Sequence, residues 1–238
     1  MLLKPMEPYG LALKEYFEGN RNAKAIFHRD DGQTENHFVA NYFRDKSQFS
    51  SLDKQAISLS RGNVLDIGAG VGPHALELQA LGLNVLAIDI SSIACEIMKK
   101  RGVKNVKCTS VYDLKEGGFD TILLMGRAIG FVEDLSGLKK FLEFSSTLLN
   151  SNGCIILDSL DVRITTNPEH LKYQEKNLQM GCYFGEIRLQ IEYKGLKGEE
   201  FRILFVDPQT LKKISLDTGH SCKIVASYEN GDYLAEIT

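Results

Sequence analysis

A glycine-rich stretch between positions 64 and 74 most constrains what this chain can fold into. It reads Val-Leu-Asp-Ile-Gly-Ala-Gly-Val-Gly-Pro-His. Val64, Leu65 and Ile67 form a short apolar run typical of a buried strand. The three glycines favour a tight turn whose free backbone N–H groups face a ligand. Pro73 suits the first turn of a helix, where its missing N–H costs nothing. The stretch therefore predicts a strand, a ligand-binding loop and a helix.

The glycine spacing separates the candidate ligands. A dinucleotide fingerprint is Gly-x-Gly-x-x-Gly, whereas this loop is Gly-x-Gly-x-Gly with Pro73 at the place of the third glycine. A P-loop requires a following Gly-Lys-Ser/Thr, which the loop lacks. Asp66 lies two positions before the first glycine, and a second apolar strand at 85–88 ends in Asp89. A carboxylate there can accept hydrogen bonds from both ribose hydroxyls of a nucleoside cofactor.

The stretch from Asp66 to Gly72, taken with Asp89, resembles the first motifs of the class I S-adenosylmethionine-dependent methyltransferases. The resemblance implies S-adenosylmethionine as the cofactor and S-adenosylhomocysteine as the product. It implies that Asp89 holds the ribose and that Ile90 packs on the adenine. The amino-acid end of the cofactor would face Asp66 and the loop residues Gly68, Ala69 and Gly70.

The same resemblance implies cofactor contacts after the third and fourth strands, at Ser110, Val111 and Gly126. Many members of the family place an acidic residue where this chain has Ser110. The Ser110 hydroxyl or the Val111 backbone would then substitute for the usual carboxylate. Looser similarity to a small-molecule-type subgroup extends over residues 9–39, Tyr42-Phe43 and 206–208.

Alternating strand and helix patterns from position 63 onwards predict an α/β fold with a parallel sheet. We expect strands at 64–67, 85–88, 106–109, 119–125 and 154–157, and the clearest helix at 135–149, followed by a turn at Asn152-Gly153. The turn Glu229-Asn230-Gly231 joins a final hairpin. The family resemblance implies a doubly wound, Rossmann-like, seven-stranded sheet that is mostly parallel and closes with this antiparallel hairpin.

Two segments lie outside that sheet. Residues 1–60 are expected to form an N-terminal helical cap, with helices at 9–17 and 52–60, and residues 61–238 to form the methyltransferase domain. Within that domain we expect an insertion at about 161–206. It contains a helix at 168–180 and a β-hairpin at 183–206, whose strands alternate apolar and polar residues. The hairpin would be a lid or a dimer contact.

The acceptor site is less constrained by the sequence. Aromatic residues of the N-terminal segment either anchor it to the core or wall the substrate pocket, and the pocket candidates are Tyr9, Tyr42 and Phe43. Arg127 either binds a substrate carboxylate or pairs with Glu133 or Asp134.

No catalytic residue is assigned, and the weak candidates are His74, Arg127 and Asp158. His74 either makes a local hydrogen bond or contacts a ligand. Asp158 and the nearby Asp161 either are solvated or orient an amine and act as a base.

Composition excludes some partners. The chain has 238 residues, of which 43% are hydrophobic and 25% charged, with a net charge of −3, whereas nucleic-acid-binding domains are normally basic. The five cysteines are scattered without a Cys-x-x-Cys pair, which favours reduced, intracellular thiols. The sequence has no long apolar run and no spacing typical of a metal site. We expect a cytoplasmic monomer or homodimer without a metal, which binds neither nucleic acid nor membrane.

The leading hypothesis is methyl transfer to an N, O or C acceptor of a small molecule. One alternative is an NAD-dependent Rossmann oxidoreductase, which the position of Pro73 disfavours. The other is a non-catalytic module that binds S-adenosylmethionine and a partner protein through the 183–206 hairpin.

Overall fold

Two β-sheets and the helices around them make up residues 3–238, which the computed structural model describes. The helices are α1 (Glu7–Phe17), α2 (Ser51–Leu59), α3 (Pro73–Ala80), α4 (Ser92–Arg101), α5 (Leu135–Ser145), α6 (Pro168–Gln179) and α7 (Pro208–Asp217). The strands are β1 (Lys24–Arg29), β2 (Thr34–Phe38), β3 (Asn63–Ile67), β4 (Asn84–Asp89), β5 (Val106–Cys108), β6 (Phe119–Leu124), β7 (Leu149–Leu160), β8 (Glu186–Tyr193), β9 (Leu196–Lys197), β10 (Phe201–Leu204), β11 (Cys222–Ser227) and β12 (Asp232–Ile237). None of these helices is long and apolar enough to cross a bilayer.

The main sheet has seven strands in the order β11-β12-β7-β6-β3-β4-β5. The five strands from β7 to β5 are parallel, whereas β12 runs antiparallel to both of its neighbours, β7 and β11. The predicted seven-stranded methyltransferase sheet with its antiparallel C-terminal hairpin is therefore confirmed. The sheet order reverses beside β3, so the glycine loop after β3 lies where open α/β sheets bind ligands.

The core of the main sheet follows from the apolar runs in its central strands. Parallel strands covered by helices on both faces are apolar at nearly every position, and β6 is buried from Thr121 to Leu124. On one face, α5 packs Leu138, Phe141 and Leu142 into this core, and all three are completely buried.

A second, antiparallel sheet has the order β10-β8-β1-β2, with β9 pairing the end of β8. The predicted hairpin of the insertion is present as β8 and β10. Helices α1 and α2 lie where the sequence analysis expected them. The N-terminal segment also contains β1 and β2, which the sequence analysis did not predict, and β1 pairs directly with β8. The N-terminal segment and the insertion thus share one sheet.

Two predicted boundaries are wrong at the junction between α5 and β7. The helix ends at Ser145 rather than at Leu149, and Asn152-Gly153 lies inside β7 rather than in a turn. Leu149 pairs with Phe119 of β6, and a register irregularity follows. Pairing with β6 therefore adds residues to the N-terminal end of β7. The helix starts at α6 and α7 agree with the sequence, because the Asn167 and Asp207 side chains cap them.

The second sheet and α1 contact the main domain at two points, and together we call them the roof. A Cβ on Gly10 of α1 would lie 3.1 Å from Ser91 Oγ, just after β4. A Cβ on Gly130, in the turn after β6, would lie 3.3 Å from Ile203 Cβ of β10. Both points follow the carboxyl ends of main-sheet strands, so the roof covers the edge where a ligand is expected.

Candidate active site

The glycine loop joins β3 to α3 as the sequence predicted. Gly68, Gly70 and Gly72 have φ angles of 68°, 57° and 78°, in the left-handed region that side chains disfavour. Gly72 is the N-cap of α3 and Pro73 follows in the first turn. A Cβ on Gly72 would lie 2.8 Å from the Val103 side chain. Tight backbone geometry and close packing both require glycine there.

The expectation that the glycine N–H groups are free is wrong for two of them. The N–H of Gly70 donates to Asp89 Oδ2 at 2.9 Å. The N–H of Gly72 donates to the Ala69 carbonyl at 2.8 Å, and the Ala69 N–H donates to the Ile88 carbonyl. The loop is thus hydrogen-bonded both within itself and to β4. The loop therefore orients the Asp89 carboxylate.

Asp89, at the end of β4, has both carboxylate oxygens fixed. Oδ2 accepts from Gly70, and Oδ1 accepts from the N–H of Ser91 at 2.8 Å. Burial raises the pKa of Asp89. Each oxygen keeps a second lone pair, which fits a pair of ribose hydroxyls. Ile90 next to it is 66% exposed, and an exposed apolar side chain at this edge fits a flat ring such as adenine.

Asp66 is 2% exposed, and no hydrogen-bond donor within residues 3–238 contacts its Oδ2. Burial raises its pKa to about 6, the charge of Asp89 adds to the shift, and His74 opposes it. A buried carboxylate oxygen without a partner is costly. A cationic donor such as an ammonium group would satisfy this oxygen, which fits the expectation that Asp66 faces the amino-acid end of the cofactor.

His74 belongs to a buried network between α2 and α3. Its Nε2 lies 2.7 Å from Asp53 Oδ1, which also accepts from Arg44 Nη2 at 2.8 Å. Burial alone would raise the pKa of Asp53, but the hydrogen bonds to His74 and Arg44 hold it well below its usual range. The partner of His74 lies 21 residues away in sequence. Asp53 could not be identified from the sequence, because nothing local marks a tertiary pair.

The remaining predicted cofactor contacts lie at the neighbouring strand ends. Ser110 caps a short 3-10 turn by accepting from the Tyr112 N–H at 3.3 Å. The Val111 side chain is buried in the core, so only its backbone can face a ligand. A Cβ on Gly126 would meet no atom within 4 Å. Gly126 therefore borders open space after β6.

Arg127 makes different contacts from those the sequence suggested. The expected pairing with Glu133 or Asp134 is wrong: its Nη2 donates to Asp232 Oδ1 at 2.6 Å. Its guanidinium lies 5.7 Å from the centre of the Phe205 ring. Glu133 and Asp134 pair instead with Arg202 of β10. The antiparallel strand β12 brings Asp232 to Arg127 from 105 residues away, which no local pattern indicates.

Asp158 lies within β7, near its carboxyl end, rather than after the strand. It is 8% exposed, and its Oδ1 accepts from the Arg127 N–H at 2.9 Å. Burial raises its pKa to about 6 against the opposing effect of Arg127. Asp161 differs, because Arg163 binds both of its carboxylate oxygens. Asp158 is thus the buried carboxylate beside Gly126 and Arg127.

The three aromatic candidates separate into two groups. Tyr9 and Tyr42 pack edge to face with ring centres 5.3 Å apart, and no partner within the described residues contacts the buried Tyr9 hydroxyl. Phe43 packs against Tyr16 with ring centres 4.6 Å apart, and the Arg101 guanidinium lies over it. Phe43 therefore anchors the N-terminal segment, whereas Tyr9 approaches the Asp89 side of the site.

Comparison with known proteins agrees with this geometry. A family model described as a methyltransferase domain matches residues 64–153. The chain is similar to a S-adenosylmethionine-dependent methyltransferase from Bacteroides fragilis, solved with S-adenosylhomocysteine. The two are 30% identical with a TM-score of 0.86, over 100% of this chain and 97% of that one. No curated protein matches the sequence.

More distant structures show the fold alone. The CcbJ methyltransferase from Streptomyces caelestis is 10% identical, with a TM-score of 0.61 over 84% of this chain and 95% of that chain. A S-adenosylmethionine-dependent methyltransferase from Clostridium acetobutylicum is 15% identical, with a TM-score of 0.57 over 84% and 94%. The full-length similarity to the Bacteroides fragilis protein, together with the matching family model, shows that this chain belongs to the S-adenosylmethionine-dependent methyltransferases and that S-adenosylmethionine is its cofactor.

Proposed function

We propose that this methyltransferase acts on a small molecule bound between the roof and the carboxyl edge of the main sheet. The roof carries the proposal, because it contacts the main domain beside Ser91 and again beside Gly130. An acceptor that reaches Asp158 must fit beneath it. In this view residues 1–60 and the insertion at about 161–206 work as one unit, joined by the pairing of β1 with β8.

For the cofactor, we infer the roles that fit the local geometry best. Asp89 would bind the ribose hydroxyls, since the Gly70 and Ser91 N–H groups already orient it. Asp66 would face the ammonium group with its unpartnered oxygen, and Ile90 would pack on the adenine. Backbone groups of Gly68, Ala69, Ser110, Val111 and Gly126 would complete the cofactor surface.

For the reaction, the chain must align the acceptor and exclude water. Bound S-adenosylmethionine supplies the activated methyl group together with its own leaving group. The roof excludes water, and the Arg127 backbone N–H holds Asp158 in place at the acceptor end. A buried carboxylate favours an acceptor that can donate a hydrogen bond to it, which is an amine or a hydroxyl rather than carbon.

Neither alternative function is favoured. A dinucleotide would require the third glycine of its fingerprint where α3 begins with Pro73. A non-catalytic module would have no need of a buried acidic group at the acceptor end, where Asp158 lies. The 183–206 hairpin is also committed to the roof, because β8 pairs with both β10 and β1.

The test is methylation with isotopically labelled methyl donor in a cell extract separated into small molecules and macromolecules. We expect label in the small-molecule fraction only. Asp89→Ala is the control, because weaker cofactor binding must lower transfer to any acceptor when the methyl donor is limiting. Label in protein or nucleic acid, lowered by the same variant, would contradict the proposal.

A further inference from the structure

The charges at the acceptor end favour a cationic group. Asp158 accepts a hydrogen bond from the Arg127 backbone N–H, and the Arg127 guanidinium is occupied by Asp232 at 2.6 Å with Phe205 beside it. Two carboxylates and one guanidinium leave a net negative charge when both acids are ionised. An anionic acceptor would have to displace Asp232 from Arg127, whereas a cationic one would meet Asp158 directly.

Asp158 has one oxygen free for such a group. The Arg127 N–H holds Oδ1 at 2.9 Å, and no side chain or backbone donor in the described part of the chain is bonded to Oδ2. Arg127 adopts a left-handed backbone with φ 61°, which is unfavourable for a residue with a side chain. Strain of this kind is retained where the rest of the structure enforces it. Here the strained backbone points an N–H at Asp158.

The inner surface of the roof is largely apolar between the two contact points, and a charged side chain there, Arg29 opposite Leu189, is paired with Asp31. Ile203 pairs with Ile187 and Phe27 pairs with Ile191, so their side chains share one face of the second sheet. Ile203 contacts Gly130 at the acceptor end, and Phe27 packs 5.9 Å from Tyr9 at the cofactor end. Five of the apolar side chains on this face are only half-buried: Phe27, Ile187, Leu189, Phe201 and Ile203. They leave apolar surface for the body of a ligand.

We propose that the acceptor is an amine with an apolar body, and that Asp158 binds its nitrogen. This inference rests on the proposed small-molecule function and specifies its substrate class. The apolar body packs against Ile187, Leu189 and Ile203 of the roof. An ammonium nitrogen has no lone pair, so it first passes one proton to Asp158 Oδ2, which turns the carboxylate into a carboxylic acid. The freed lone pair forms the N–C bond as the bond between the methyl carbon and sulfur breaks, and S-adenosylhomocysteine is the leaving group. Arg127 keeps its pairing with Asp232 and is not an anion-binding residue.

The experiment uses three panels of acceptors with identical aromatic and alicyclic bodies, which end in an amine, a hydroxyl or a carboxylate. Formation of S-adenosylhomocysteine is measured for each. Binding is measured separately, as the rise in melting temperature of the protein saturated with S-adenosylhomocysteine. We expect turnover and a rise in melting temperature with amines only. Greater turnover with hydroxyls or carboxylates, or no response to any panel, would overturn the inference.

Variants separate recognition from folding. Asp158→Asn should lower kcat/KM for amines by on the order of 10²–10⁴ and remove the rise in melting temperature that amines cause. Its affinity for S-adenosylhomocysteine should stay within about twofold of the affinity of the natural protein, which is less than the tenfold change that about 1.4 kcal/mol represents. Glu133→Gln, an exposed acid on the same turn, is the matched control and should change neither. If Asp158→Asn retains amine turnover, Asp158 does not bind the nitrogen.

Arg127→Gly tests the opposite assignment. Glycine accepts the left-handed backbone, so the N–H bond to Asp158 persists while the guanidinium is removed. We expect the preference for amines to persist. If the natural protein methylates carboxylates and Arg127→Gly abolishes that activity, Arg127 binds substrate anions and the inference is overturned. Label that enters macromolecules alone would instead contradict the proposed function itself.

Discussion

At the scale of single residues, Asp89 is the side chain most directly tied to the cofactor. Two backbone N–H groups orient it and leave two lone pairs free. Asp89→Ala should weaken binding of S-adenosylhomocysteine by roughly 1–3 kcal/mol, about 5-fold to 150-fold, since hydrogen bonds to a charged group are lost. Calorimetric titration measures this. Asp113→Ala, an exposed acid at the same edge of the sheet, is the control. Unchanged affinity in Asp89→Ala would remove Asp89 from the ribose site.

Asp158 should oppose folding while it serves the reaction. Burial raises its pKa to about 6, so the folded state binds more protons than the unfolded state between about pH 4 and pH 6. The buried charge therefore destabilises the folded state. This destabilisation is absent below about pH 4, grows between about pH 4 and pH 6, and reaches on the order of 3 kcal/mol above that range. Asp158→Asn should therefore raise the melting temperature at pH 8 and leave it nearly unchanged at pH 4.

Thermal melting of the natural and Asp158→Asn proteins at both pH values measures this difference. The neutral amide can still accept the Arg127 N–H bond, so the comparison isolates the buried charge. A melting temperature that falls equally at both pH values would show that Asp158 is a structural hydrogen-bonding residue instead.

The residues that sequence spacing can identify are those of the glycine loop and the strand ends. Asp66 and Asp89 are recognisable because their distance from the glycines along the chain is characteristic. Asp53 and Asp232 are not, because each meets its partner only through tertiary packing. The pairing of Arg127 could not be predicted either, because the acids closer to it in sequence, Glu133 and Asp134, pair with Arg202.

At the scale of elements, the contact between α1 and α4 should control how tightly the roof closes. Gly10 leaves space for Ser91 and Ile93, whose atoms would lie 3.1–3.3 Å from an added Cβ. Gly10→Val should push α1 away and destabilise the protein by about 1–3 kcal/mol. The KM of the acceptor should rise, because the roof no longer fits. Gly10→Ala should raise the KM less, and the roughly 0.5–1 kcal/mol by which alanine is favoured over glycine in a helix offsets its effect on stability.

Hydrogen exchange of the α1 amides, together with steady-state kinetics, checks this prediction. Faster exchange confined to the roof is expected, with the main sheet unchanged. If both variants leave exchange and KM unaltered, α1 does not control the acceptor site.

The hairpin of β1 and β2 shows why elements of the roof were harder to predict than those of the main sheet. Four of the five residues of β2 are exposed and its sequence is Thr-Glu-Asn-His-Phe, so it lacks the apolar alternation that marks a strand. The turn at Asp31-Gly32 was a usable signal, because Asp-Gly favours hairpin turns. Helices α6 and α7 were predictable at their starts, because an N-cap side chain followed by proline is a local pattern.

At the scale of the whole molecule, the main sheet could be predicted from the sequence, whereas the roof could not. The main sheet follows from the alternation of strands and helices along the chain. The roof joins strands from opposite ends of the sequence, such as Phe27 with Ile191, and no local pattern states that they pair. The proposed acceptor site depends on that pairing, because β10 of the roof contacts Gly130, three residues after Arg127.

The position of bound S-adenosylhomocysteine, determined crystallographically, tests the central claim most directly. The predicted result places both ribose hydroxyls on Asp89, the ammonium group at Asp66 and the sulfur toward the side of the site that holds Asp158, all beneath the roof. A ligand bound elsewhere, or with its ribose away from Asp89, would contradict the assigned site.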